Sequence, residues 1–139
     1  MTVDSIKNGF VIDHIKPGNG MKIYRILGLG KLSCPVAIIQ NALSHSMGVK
    51  DIIKRDADVS LDMTALGYID SDVTVNVIKD SKIVEKYHPA LPRELVNIVK
   101  CKNPRCITTT EQELDHVFRL TDEKKRVYRC IYCESASEK

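Results

Sequence analysis

"CKNPRC" (101–106) and "CIYC" (130–133) hold four of the five cysteines in this 139-residue chain. The spacing C-x4-C-x23-C-x2-C gathers four thiols into two close pairs, which matches a tetrahedral metal site. The second pair stands within the last ten residues, where little apolar surface can be buried. A module of roughly 45 residues struggles to fold on apolar burial alone, whereas structural zinc contributes roughly 10–16 kcal/mol in finger peptides. The pattern therefore predicts a small zinc-bound β domain over 93–139, with Cys101, Cys106, Cys130 and Cys133 as ligands. Four sulfurs leave no open coordination position, which makes the zinc structural, one ion per chain. Disulfides, a redox dithiol at CIYC and unrelated buried cysteines are the competing readings, and four thiolates also accept iron. Cys34, beside Pro35 in an apolar run, reads as a small buried hydrophobe.

Outward from the cysteines, HVFRLTD (116–122) and KRVYRC (125–130) read as strands joined by a charged turn, and ELVNIVKC (94–101) restarts order after the proline-broken linker HPALP (88–92). Upstream, GFVIDHI (9–15) is rich in β-branched residues and reads as a strand. KPGNG (16–20) is a turn, and MKIYRILGL (21–29) suits an amphipathic helix ended by Gly28 and Gly30. CPVAIIQNAL (34–43) looks like a buried strand, SHSMG (44–48) a turn, and KDIIKRDADV (50–59) a returning strand. Ser60 is a candidate N-cap for a helix over 61–68. DVTVNVIK (72–79) and KIVEKY (82–87) alternate across Asp80–Ser81, a two-residue hairpin link. The order β-α-β-β-α-β-β predicts an α+β domain over 1–92: an antiparallel sheet with two helices on one face.

The bulk numbers exclude several classes of function. Formal charge is +3, with 12 Lys+Arg against 10 Asp+Glu in 1–93 and 9 against 8 in 94–139. That near balance argues against a nonspecific nucleic-acid binder, although a zinc-ribbon nucleic-acid module remains the alternative. No apolar run approaches the ~20 residues of a membrane span. MTVDSIKNGF carries no apolar leader, so the expected compartment is the cytoplasm. There is no nucleophile–base motif, no paired-carboxylate signature and no dinucleotide fingerprint. LGLGKLS (27–33) lacks the first glycine of a phosphate loop. Lys50 and Lys54, four apart in a strand, share a face and can hold a phosphate chain or simply face solvent. Asp13 and His14 can meet ribose and phosphate, but neighbours in a regular strand face opposite ways. Both can touch one ligand only at a bend or at the sheet edge.

Taken together, "VDSIKNGFVIDHI" (3–15), "MGVKDIIK" (47–54), "TVNVI" (74–78), "IVEK" (83–86), "LP" before the linker and "CKNPRC…CIYC" resemble the regulatory chain of aspartate carbamoyltransferase over almost the full length. The resemblance implies a non-catalytic subunit of pyrimidine biosynthesis with a nucleotide domain (1–92) and a zinc domain (93–139). By the same resemblance, the nucleotide domain is expected to bind CTP or ATP and to pair with a second regulatory chain, and the zinc domain to dock on catalytic chains. It implies base contacts from the backbone around Ser5 and Ile6 with Ile78, and ribose contacts from Asp13 and Lys54. His14, Ile83 and Lys86 are placed along the phosphates, with Lys50 and Asn76 in the same pocket.

Overall fold

The computed structural model describes residues 6–31, 33–56 and 61–137. The chain is α+β and divides into two compact units, Met1–Leu91 and Pro92–Lys139. The first holds β1 (Gly9–Ile15), α1 (Asn19–Ile26), β2 (Val36–Ser44), β3 (Gly48–Arg55), α2 (Met63–Ile69), β4 (Thr74–Lys79) and β5 (Lys82–Tyr87). Its strands form one antiparallel sheet in the order β2-β3-β1-β4-β5. Phe10, Ile12, Ile53 and Val75 project from one face and pack with Ile23 of α1 and Leu66 of α2. Both helices therefore cover that face, and the period-2 alternation of β1, β3 and β4 puts their polar side chains on the other face, together with Val11, Ile52 and Ile78.

Several local readings need correction. The segment 34–43 is not a buried strand: β2 is an edge strand, only partly covered, and its Leu43 is 90 % exposed. Its continuous apolar run looks like a core strand, but strand order is set by how the chain crosses over. Cys34 is half-buried. Helix α1 begins earlier, at Asn19, inside the expected turn. Gly28 follows the C-cap with φ +64, the left-handed conformation that glycine adopts without strain. Gly30 does not end the helix but lies in a 3-10 turn, Leu29–Lys31. Ser60, the expected N-cap of α2, lies outside the described residues, as do 57–59 of the expected strand. Asp62 caps α2, its carboxylate accepting the Ala65 N–H at 3.1 Å. Asp80 and Ser81 both take positive φ (52 and 65), as a type I′ hairpin requires, without a glycine. Their amides donate to Asn8 Oδ1 and the Lys7 carbonyl.

The second unit holds β6 (Glu94–Val96), the single turn α3 (Ile107–Thr110), β7 (Val117–Asp122) and β8 (Val127–Cys130), with the strands antiparallel in the order β6-β7-β8. Among its described residues the large buried apolar side chains are Leu95, Phe118 and Tyr128, and the Tyr128 hydroxyl donates to the Pro92 carbonyl. Such side chains contribute roughly 1.5–3 kcal/mol each, too little to offset the ordering entropy of a unit this size. No helix among the described residues is long and apolar enough to cross a membrane.

Candidate functional site

The polar face of the five-stranded sheet gathers residues from four strands. Cross-strand register places Lys54 opposite Val11, Val11 opposite Asn76, and Asn76 opposite Lys86. Directly opposed residues share a face, so these side chains form one row across β3, β1, β4 and β5. Ile78 lies opposite both Gly9 and Ile83, which puts both isoleucines on this face beside the row. Ile83 and Lys86 are three apart and face the same way because the β4–β5 register shifts by one residue at Val77/Ile78. Ile6 is buried just ahead of Lys7 and Asn8, whose contacts to the β4–β5 turn hold this end of the face. Ser5 lies outside the described residues.

A second irregularity, between Ile12 and Ile15 of β1, resolves the orientation of Asp13 and His14. His14 takes φ 58, and its N–H donates to Asp13 Oδ1 at 2.7 Å. Its Nδ1 lies 3.8 Å from Asp13 Oδ2. Lys50 Nζ meets Asp13 Oδ1 at 2.9 Å. Burial alone would raise the Asp13 pKa, but the Lys50 ammonium and the His14 N–H outweigh it and hold the carboxyl below its usual range. Two buried polar atoms here, Asn76 Oδ1 and His14 Nδ1, have no hydrogen-bond partner among the described residues. Buried polar atoms in proteins are normally paired, so these two have capacity for a ligand. The guanidinium of Arg55, fully buried on the helix side, also has no hydrogen-bond partner among the described residues.

In the second unit, Cys101, Cys106, Cys130 and Cys133 bring their Sγ atoms within 4.8 Å of one another. Cys101 and Cys133 are 3.5 Å apart and Cys106 and Cys130 3.7 Å, and all are free thiols. A disulfide needs about 2 Å, whereas ligands on a tetrahedral zinc at about 2.3 Å sit roughly 3.8 Å from one another. The sulfurs therefore fit a metal ion. The loops are built locally. Asn103 Oδ1 accepts the Arg105 N–H and its carbonyl accepts the Cys106 N–H. The Cys130 carbonyl accepts the Glu134 N–H, with Glu134 at φ 63. Two supporting groups were not legible in the spacing. Thr108 Oγ1 lies 3.1 Å from Cys106 Sγ, and His116 Nδ1 accepts the Cys101 N–H at 3.0 Å. Ile107, Ile131 and Tyr132, each next to a cysteine in sequence, are exposed.

Three of the thiols are shifted, and in different directions. Burial pushes Cys101 up to about 12 and raises Cys130, while hydrogen bonding, led by the Ser135 hydroxyl, lowers Cys133 to about 6. Without metal at pH 7, Cys101 and Cys130 hold their protons and Cys133 is largely thiolate. Metal ligation requires thiolates. Loading a divalent metal at pH 7 should then release at least two protons per ion, one each from Cys101 and Cys130. Affinity should fall with acid, more steeply below about pH 6, where Cys133 also protonates. Proton release measured across a metal titration checks this; uptake without release would contradict it.

Comparison with known proteins follows the same division. Residues 1–90 match the family model "Aspartate carbamoyltransferase regulatory chain, allosteric domain", and residues 93–139 match "Aspartate carbamoyltransferase regulatory chain, metal binding domain". A Clostridium acetobutylicum protein named aspartate carbamoyltransferase regulatory chain is 50 % identical over 134 residues, covering 96 % of this chain and 92 % of that one. A Clostridium tetani protein of the same name is 47 % identical over 135 residues, 96 % and 94 % of the two chains. One from Bifidobacterium longum is 39 % identical over 138 residues, 99 % of each.

Proposed function

We propose, from the premise that the chain belongs to the aspartate carbamoyltransferase regulatory chain family, that it binds CTP and ATP on the polar face of its N-terminal sheet and transmits their binding to catalytic chains. The family is non-catalytic and implies a catalytic-subunit partner. One observation carries the nucleotide reading. Lys54 and Lys86 share a row with Asn76, and Lys50 meets Asp13 beside His14; the buried Asn76 Oδ1 and His14 Nδ1 have no hydrogen-bond partner among the described residues. A triphosphate brings roughly three to four negative charges, and lysine ammonium groups with an imidazole N–H meet them through hydrogen bonds. In this reading His14, Ile83 and Lys86 lie along the phosphates, with Lys50 and Asn76 beside them. Asp13 and Lys54 hold the ribose. Ile78 and the backbone at Ser5 and Ile6 contact the base. Asp13 Oδ2 is the oxygen available to ribose, because Oδ1 already serves Lys50 and His14.

The cysteine cluster holds one structural zinc, a reading supported by four sulfurs at tetrahedral spacing. The zinc unit docks on catalytic chains through its exposed Ile107, Ile131 and Tyr132, apolar side chains fixed by the cysteine loops. A second regulatory chain pairs along the N-terminal sheet at its β2 edge, where Leu43 and Val49 stand opposed and exposed. The assembly belongs to cytoplasmic pyrimidine biosynthesis. Effector control requires that the nucleotide bind two quaternary states unequally.

The decisive experiment is an aspartate saturation curve of the cognate catalytic chains, with and without this zinc-loaded chain at fixed CTP. The chain should change the curve and CTP should shift it further; a curve indifferent to both would refute the reading. Lys86→Ala separates the phosphate end from the base end. It should weaken triphosphates roughly ten- to a hundredfold, the loss of one charge-assisted hydrogen bond, and leave nucleosides nearly unchanged. Equal losses in calorimetric titrations of both ligand types would remove Lys86 from the phosphates.

A further inference from the structure

Asp51 is fully buried on the helix side of the sheet, one residue after Lys50. Its Oδ2 accepts the N–H groups of Gly18 and Gly20, and its Oδ1 accepts that of Asn41, each at 3.1 Å. Gly18 is the N-cap of α1 and has no side chain to cap with, so Asp51 supplies the capping carboxylate from the neighbouring strand. Asn41, at φ 58, lies in the extra residue of β2, between the pairs Ile39–Ile52 and Ala42–Lys50. On the other side, Asp51 stands opposite Ile15, where β1 regains register after its own extra residue at Asp13 and His14. One carboxylate thus closes the β2 irregularity and anchors the chain just after β1, at Gly18 and Gly20. A regular β1 would turn His14 away from Asp13. Lys50, on the same strand, reaches Asp13 through the opposite face.

The chemistry selects aspartate. Three N–H donors need an acceptor that carries no donor of its own, whereas an asparagine amide would turn an NH2 toward them. The approach is also close: a Cβ on Gly20 would stand 2.8 Å from Asp51 Oδ2.

We propose that Asp51 is a positioning residue for the effector site, holding Asp13, His14 and Lys50 in their joint geometry from the far side of the sheet. This rests on the nucleotide reading above. Its reach is local, because Lys86 sits on β5, at the edge of the sheet beyond β1 and β4. The test is a pair of double-mutant cycles on the full chain, with CTP as the calorimetric probe. Asp51→Asn should weaken CTP by tenfold or more. Adding His14→Ala to it should then cost little, while adding Lys86→Ala should cost its full single-variant factor, within about twofold. Full additivity with both, or equal loss of additivity with both, reduces Asp51 to a general stabiliser and overturns the role. If circular dichroism shows Asp51→Asn unfolded, Gly20→Ala, which displaces the same carboxylate, is put through the same cycles, and the same outcomes support or overturn the role. Wild-type chain is titrated first. Failure to bind CTP there refutes the nucleotide reading itself, and Asp51's role with it, before any variant is compared.

Discussion

Cys133→Ser is expected to abolish assembly with catalytic chains while the N-terminal unit stays folded. The C-terminal unit buries few large apolar side chains, Leu95, Phe118 and Tyr128 among them, and its loops are shaped around the four sulfurs. Structural zinc in finger peptides is worth roughly 10–16 kcal/mol, as much as the whole stability of a typical domain, about 5–15 kcal/mol. Losing one of four ligands gives up most of that. Ile107, Ile131 and Tyr132 then lose their fixed positions, and the proposed docking surface goes with them. The N-terminal unit has its own core around Ile12, Ile23, Ile53 and Leu66 and should keep its nucleotide affinity within about twofold. Gel filtration with catalytic chains reads the first effect, and CTP titration of the same variant reads the second. Cys34→Ser is the control, since Cys34 stands alone in the other unit and should change neither. A Cys133→Ser chain that still forms the full complex would end the zinc argument.

Much of the fold was legible because it rests on local signals. GFVIDHI and DVTVNVIK alternate and form strands with their apolar phase on the helices. The Asp80–Ser81 link makes a two-residue hairpin turn. The cysteine spacing brought four sulfurs to one point. What was not legible depends on partners distant in sequence. The segment 34–43 is apolar enough for a core strand, yet β2 ends at the sheet edge because of an ordering that no window of sequence contains. The irregularities in β1, β2 and the β4–β5 pair carry no signature of their own. That in β2 is closed by a carboxylate on another strand.

Asp51 shows the same limit at the candidate site. In KDIIK the two lysines draw the eye, and the aspartate between them reads as one more charge. The available signal was its phase: Asp51 falls with Ile53 on the apolar side of β3, where a carboxylate needs several donors to be tolerated. His116 gave less to find, because its role is to accept one backbone N–H across 15 residues.

Lys50→Ala should be the most damaging single change on the polar face, weakening triphosphates on the order of a hundredfold, in the range seen when one member of a charge pair at an interface is truncated. Lys50 has two electrostatic tasks. In the proposed site it is one of the cations facing the phosphates, and it neutralises Asp13 at 2.9 Å. Removing it subtracts a positive charge and uncovers a negative one beside the ligand. Asp13→Asn alone should cost far less, because the ribose contact it gives up is partly offset by freeing Lys50. The double variant Asp13→Asn/Lys50→Ala should therefore bind triphosphates more tightly than Lys50→Ala, a recovery that two independent ligand contacts would not show. The sign with pH follows from the depressed Asp13 carboxyl. A lowered pKa keeps the pair intact through neutral and mildly acid solution, and its contribution is lost only as pH falls through that lowered value. The recovery should thus be the same at pH 8 and pH 6. Calorimetric CTP titration of the four proteins at both pH values measures it. A double variant weaker than Lys50→Ala alone would show that Asp13 helps the ligand more than it competes for the lysine, and the ion pair would then have to be read as scaffold instead of switchable charge.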